Sequence, residues 1–216
     1  MDNSYTDTVR LLLDVAPYAF TNPQFAMKGG TAINLFVLDM PRLSVDIDVV
    51  YLPWETQRQE ALQTINQQLA AIANQVAKRG LQTRLIPSKD LGDTKLIVEN
   101  DTAQVKIEVN TVFRGSVLPA AQRPLSPRTA RQFAVEIELP VLATDELYAS
   151  KLVAALDRQH PRDLFDVWQR YQSGGITEGM VECFVVYRPG TIDRSMKCCH
   201  AAAKTLLAST SERLSA

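Results

Sequence analysis

Lys28–Val50 reads KGGTAINLFVLDMPRLSVDIDVV, with two adjacent glycines near its start and two aspartates flanking one isoleucine near its end. Just before it the chain runs apolar, and QFAMKGG has the pattern of a short strand closed by a glycine turn at Gly29 and Gly30. Thr31–Leu38 is apolar and short, which predicts a helix packed tightly on that strand. VDIDVVYL is β-branched and apolar, which predicts a second strand. Alternate residues of a strand share a face, so Ser44, Asp46 and Asp48 point one way while Val45, Ile47 and Val49 point into the core. Two carboxylates about 6 Å apart repel by about 3 kcal/mol at an effective dielectric near 20. A divalent cation relieves that repulsion, and a donor set of oxygens suits Mg²⁺ or Mn²⁺. A D-x-D alone also describes a merely acidic, solvated strand face. The glycines narrow the choice, because a Gly-Gly turn lets backbone amides approach phosphate oxygens and the N-terminus of the next helix adds positive field. A phosphate cradle beside a cation-holding pair describes a nucleoside-triphosphate site.

Outward from this unit, Tyr5–Ala19 has helical spacing behind the capping candidates Ser4 and Thr6. Glu55–Arg79 reads as a long helix closed by Gly80. Strands are expected at Leu81–Ile86, Lys95–Val98 and Val105–Val109. In the last of these Glu108 alternates with the apolar residues, a candidate third carboxylate for a two-metal site with Asp46 and Asp48. Residues 110–135 hold four arginines (Arg114, Arg123, Arg128, Arg131), three prolines and no acidic residue. That composition predicts a loop, or an edge with a basic face able to hold an RNA backbone.

After Pro140 the pattern turns helical. Glu146–Leu156 is expected as a helix with Thr144 as N-cap, and Arg162–Tyr171 as a second helix after a break at Gln159–Pro161. The organisation is therefore α+β, a mixed-sheet domain over 1–140 and an all-helical domain over 141–216. Lys151 and Arg158 lie two turns apart on one helix face, and Asp163 and Asp166 share a face of the next. Lysine and arginine both suit phosphate, and an ion pair between Arg158 and Asp163 is an equally available use of those charges. Trp54 and Trp168 read as packing residues, His160 as a helix-break residue and His200 as a surface residue. Cys198 and Cys199 are adjacent and read as structural or as incidental to the C-terminal segment.

Composition excludes several classes. With 46% hydrophobic and 22% charged residues over 216 positions, the chain is an ordinary globular one. A formal net charge of −1 offers no general attraction to nucleic acid, so any anionic partner must meet a local patch. Three cysteines make neither a disulfide framework nor a zinc site. The opening MDNSYTDTVR is polar rather than signal-like, and no apolar run approaches the roughly 20 residues of a membrane span. A cytoplasmic protein without a membrane partner is expected.

KGGTAINLF, RLSVDIDVV, KLVAALDR (a K-L-x-A-x-x-x-R match) and DLFD (a D-x-x-D match), in this order, resemble the AbiEii/AbiGii toxin family. These are nucleotidyltransferase-like proteins of the DNA polymerase β superfamily, toxins of type IV toxin–antitoxin and abortive-infection systems. The resemblance runs from about Phe25 to Trp168. It implies a polymerase β-like core followed by a helical domain that closes the cleft. It also implies catalytic roles for Asp46, Asp48, Lys151 and Asp166, with Asp46 and Asp48 as the metal pair. Lys28, Gly29, Gly30, Thr31, Ser44 and Arg158 would contact the nucleotide. The implied activity is Mg²⁺- or Mn²⁺-dependent nucleotide transfer from a nucleoside triphosphate to the 3′ end of tRNA, or to a protein side chain. The implied partner is a DNA-binding antitoxin of AbiEi type that need not touch the toxin. A nucleotide-binding module without turnover is the reading from another class. The segment RSMKCCHAAAKTLLASTSERLSA departs from the family's usual C-terminal end.

Overall fold

The computed structural model describes residues 3–88 and 92–192, so Cys198, Cys199, His200 and the C-terminal segment lie outside the described residues. The chain divides into two compact units, Met1–Gly115 with Ala120–Leu142, and Ser116–Pro119 with the chain from Ala143 on.

The first unit is built on a seven-stranded mixed sheet in the order β3-β4-β5-β2-β1-β7-β6. Its strands are β1 (Phe25–Lys28), β2 (Asp46–Tyr51), β3 (Gln82–Ser88), β4 (Gly92–Glu99), β5 (Gln104–Asn110), β6 (Ala121–Pro124) and β7 (Glu138–Val141). β2 is central, antiparallel to β1 and parallel to β5. A parallel pair needs a long crossover. Helix α3 (Arg58–Ala77) lies within it, ahead of the β3–β4 hairpin. Helices α1 (Asn3–Ala19) and α3 pack on one sheet face. There Leu12 of α1, Ile65 and Leu69 of α3, and the strand residues Ile47 and Ile107 are all fully buried. Each such side chain contributes about 1.5–3 kcal/mol of hydrophobic stabilisation. Asp46, Asp48, Lys106 and Glu108 alternate with this buried set and remain partly exposed on the opposite face.

Three segments differ from the sequence reading. The helix expected at Thr31–Leu38 starts earlier, as α2 (Gly29–Ala32), and continues as a wider π-helical turn over Ile33–Val37, closed by Leu38 N–H on the Ile33 carbonyl. Gly29, at φ +78°, turns the chain directly out of β1 into the helix, a conformation only glycine adopts without strain. Residues 110–135 are no plain loop, and the expected alternative of a sheet edge holds in part. They contain edge strand β6, whose Pro124 suits an edge, and α4 (Pro127–Phe133), whose proline lies in the first turn. β7 follows, pairing parallel with β1 at Met27 and Val141. Elements this short carry little periodicity. Finally, Gly80 follows α3 with φ +82° as expected, but the helix begins at Arg58 rather than Glu55.

The second unit contains α5 (Thr144–Arg158), α6 (Pro161–Gly174) and α7 (Glu178–Ile192), with α5 packed on both others. Thr144 is the first helical residue of α5, and Ala143 is the cap in its place. His160 caps α6 through its ring nitrogen, which accepts the Arg162 N–H, so the helix-break reading holds. The carboxylate of Glu146 is buried and accepts the N–H groups of Val117 and Leu118 and the Tyr187 hydroxyl, which ties 116–119 to the helices. Trp168 is 55% exposed on α6, against the expectation of a packing residue, whereas Trp54 packs against Gly115. Among the described residues no helix is long and apolar enough to cross a membrane.

Candidate active site

The first unit gathers the glycine signature and the aspartates at one corner. Register pairs Lys28 with Asp48 across β1 and β2, and Gly29 follows immediately. A Cβ built on Gly29 would fall on the Asp48 carboxylate, so the position needs glycine for space as well as for φ. A Cβ on Gly30 would meet the Arg42 guanidinium and the Ser44 hydroxyl, which lie 2.6 and 2.8 Å from its place. Ser44 Oγ is 3.1 Å from Thr31 Oγ1. Buried Asn34 holds this arrangement, donating to the Gly30 carbonyl at 2.7 Å and accepting the Arg42 N–H at 3.2 Å. Lys28, Gly29, Gly30, Thr31, Ser44 and Asp48 are therefore neighbours. The first N–H groups of α2 have no partner within the helix, as at any helix start.

The carboxylate face is more crowded with charge than the alternation pattern suggested. Asp48 faces Glu108, and Asp46 faces Lys106, across the parallel β2–β5 pair. Lys95 of β4 faces Glu108 from the other side. Glu108 Oε1 lies 3.0 Å from Lys95 Nζ, and Oε2 lies 3.0 Å from Lys106 Nζ. Lys106 Nζ is also 3.8 Å from Asp46 Oδ1. Burial alone would raise the Glu108 carboxyl, but hydrogen bonds from Lys106 and Lys95 outweigh it and hold the group below the usual carboxylate range. Burial would likewise depress Lys106, and Glu108, Asp46 and Asp48 reverse that and raise it. Among the described residues no three Asp, Glu, His or Cys side chains converge closely enough to hold one metal ion, so Glu108 does not join Asp46 and Asp48 in a cluster. As a pair on one face, Asp46 and Asp48 offer oxygen donors beside a backbone corner too tight to admit any Cβ, a setting that fits a hard divalent cation carrying phosphate.

The second unit holds the other cluster. Lys151 is buried and lies between two buried aspartates, 2.8 Å from Asp163 Oδ1 and 3.3 Å from Asp166 Oδ2. Arg158 Nε reaches Asp163 Oδ2 at 2.6 Å from the exposed end of α5, so the inter-helix ion pair is present. Burial would raise the Asp163 carboxyl, but hydrogen bonds from Arg158 and Lys151 prevail and hold it low. Tyr148 is pushed up to about 12 by burial and by the charge of Asp166. Lys95, Lys106, Asn34 and Arg42 escaped the sequence reading. For the lysines the only local signal was an alternation that places Lys106 and Glu108 on one strand face.

Three comparisons bear on this geometry. The chain is similar to MenT4, a nucleotidyltransferase toxin from Mycobacterium tuberculosis H37Rv, with a TM-score of 0.59 and 20% identity. That match covers 85% of this chain and 65% of the other, so the chain spans less than two thirds of that relative. No curated protein sequence matches. The family model described as nucleotidyl transferase AbiEii toxin, type IV toxin–antitoxin system, matches residues 10–208, beyond the stretch that carried the resemblance and into the C-terminal segment expected to depart. The glycine corner, the aspartate pair and the Lys151 cluster thus sit in a chain that belongs to the AbiEii nucleotidyl transferase toxin family.

Proposed function

We propose that the protein is a toxin that transfers a nucleotide from a nucleoside triphosphate to the 3′ acceptor end of tRNA. The observation carrying this reading is the Gly29–Asp48 contact, where a backbone corner that admits no side chain abuts a carboxylate of the D-x-D pair. Amides of Gly29, Gly30 and Thr31 bind phosphate oxygens there, with the Ser44 and Thr31 hydroxyls beside them. Asp46 and Asp48 hold Mg²⁺ or Mn²⁺ through hard oxygens. When bound, the cation neutralises phosphate charge and favours the ionised acceptor hydroxyl. Lys151 is a further cation suited to phosphate. An ammonium has three donors, and contacts to Asp163 and Asp166 leave one to offer. Asp166 orients Lys151. Positioning and charge neutralisation account for most of the rate, as in phosphoryl transfer generally. Family membership supports an antitoxin of AbiEi type as the genetic partner.

The test incubates the protein with Mg²⁺, total tRNA and each α-labelled nucleoside triphosphate in turn, beside folded Asp48→Asn. Label entering tRNA with the wild type alone is the expected result and names the donor. Label entering protein moves the acceptor to a side chain. Nucleotide binding with no transfer to anything makes the chain a binding module.

A further inference from the structure

A pair of bare carboxylates on one strand face would need a cation to relieve its repulsion. This face already carries one. Lys106 stands across the parallel register from Asp46, and its ammonium lies 3.8 Å from Asp46 Oδ1. It does not float there. Glu108 grips it at 3.0 Å through Oε2, and Glu108 is itself gripped at 3.0 Å through Oε1 by Lys95. Each oxygen of the third carboxylate therefore engages a lysine. Asp46 faces Lys106 and Glu108 faces Lys95 as opposite charges, while Asp48 faces Glu108 as a like charge that the two lysines offset. Ion pairs of this type on a sheet face gain from being a network with fixed cross-strand spacing.

We propose that Lys106 is a resident counter-ion of the Asp46–Asp48 pair, anchored by Glu108, against whose charge a divalent cation must bind. Glu108 is then a positioning residue acting through Lys106 and not a ligand. The consequence is a face on which two lysines offset two of the three carboxylates without metal and which binds metal only moderately, with Lys106 setting the concentration at which the cation loads. The proposal rests on the reading of Asp46 and Asp48 as the cation pair.

The test is a calorimetric titration of the full chain with Mn²⁺ alone, without nucleotide, with the fold of every variant checked by circular dichroism. Lys106 is one third exposed, and Met keeps its apolar stem, so Lys106→Met should fold, with Lys106→Gln as the second variant. Removing the charge is expected to tighten Mn²⁺ binding about tenfold, equivalent to ~1.4 kcal/mol. Asp48→Asn is expected to abolish binding in both backgrounds. The double variant Lys106→Met/Glu108→Gln should bind at least as tightly as the wild type, because Glu108 acts only through the lysine. A double variant that binds more weakly than the wild type makes Glu108 a direct ligand and overturns the proposal. Unchanged or weaker binding in both Lys106 variants, with Asp48→Asn still inactive in binding, overturns it while leaving the cation pair standing. Mn²⁺ binding indifferent to Asp48→Asn, or none at all, defeats the cation-pair reading and the proposal with it.

Discussion

Lys151→Met isolates what the buried cluster of the helical unit is worth. The ammonium is the cation shared by Asp163 and Asp166, whose side chains are each 2% exposed, and Met keeps the length of the stem. Removing one partner of a buried ion pair costs about 3–5 kcal/mol, because the remaining charge is left desolvated. Arg158 still holds Asp163 Oδ2, so the lower end, about 3 kcal/mol, is expected. In a chain of this size that corresponds to a Tm lower by about 6–12 °C. Arg158→Met is the internal comparison. Its side chain is 64% exposed and in reach of water, so about 1 kcal/mol or less is expected. The pH dependence has a sign. Asp163 is held low in the folded wild type, so its contribution is present above the unfolded carboxyl pKa near 4 and is lost as pH falls through the folded value. In Lys151→Met the burial of Asp163 is offset by Arg158 alone, and its carboxyl takes up a proton at higher pH than in the wild type. The stability gap between wild type and variant should therefore narrow from pH 7.5 to pH 5. Urea and thermal unfolding followed by circular dichroism measure this. An Arg158→Met as damaging as Lys151→Met, or a gap that widens in acid, would refute the reasoning. The prediction also disciplines activity assays, since loss of transfer in a Lys151 variant counts as catalytic only where the protein stays folded.

Gly29→Ala should lose nucleotide binding and about 2 kcal/mol of stability, from the left-handed backbone and the collision with the Asp48 carboxylate; fluorescent-nucleotide titration beside a thermal melt checks both. Glu146→Gln turns an amide donor toward one of the three groups that donate to Glu146, so a shift of the urea midpoint worth about 2 kcal/mol with unchanged slope is expected. Cys183 is fully buried, and burial with nearby acidic groups pushes its thiol up to about 12. Peptide mapping after iodoacetamide at pH 8 should find Cys183 unmodified in native protein and modified in urea.

The strand–glycine–strand unit was legible because its signals are local. Alternation assigned the faces of Asp46 and Asp48, and the Gly-Gly pair marked the turn out of β1. The charge balance of the same face was not legible. Lys106 meets Asp46, and Lys95 meets Glu108, only through a cross-strand register that no short window of sequence contains. The helical cluster was half legible. Helical spacing put Asp163 and Asp166 on one face, but nothing in it showed that both would be buried around Lys151. Glu146 entered the sequence reading only as the start of a helix, because two of its partners come from the distant Val117–Leu118 segment. β6, α4 and β7 are four to seven residues long, too short for periodicity to separate them from a proline-rich loop.

In the proposed function the D-x-D pair, loaded at the glycine corner, drives nucleotide transfer. Its most direct measurement is pyrophosphate release from each nucleoside triphosphate in the presence of Mg²⁺ and total tRNA, for the wild type, Asp46→Asn and Asp48→Asn. The account predicts release by the wild type that depends on one preferred nucleotide and on added metal, and a loss of at least about a hundredfold, some 2.7 kcal/mol of barrier, in each folded asparagine variant. Release that survives in both variants would contradict it.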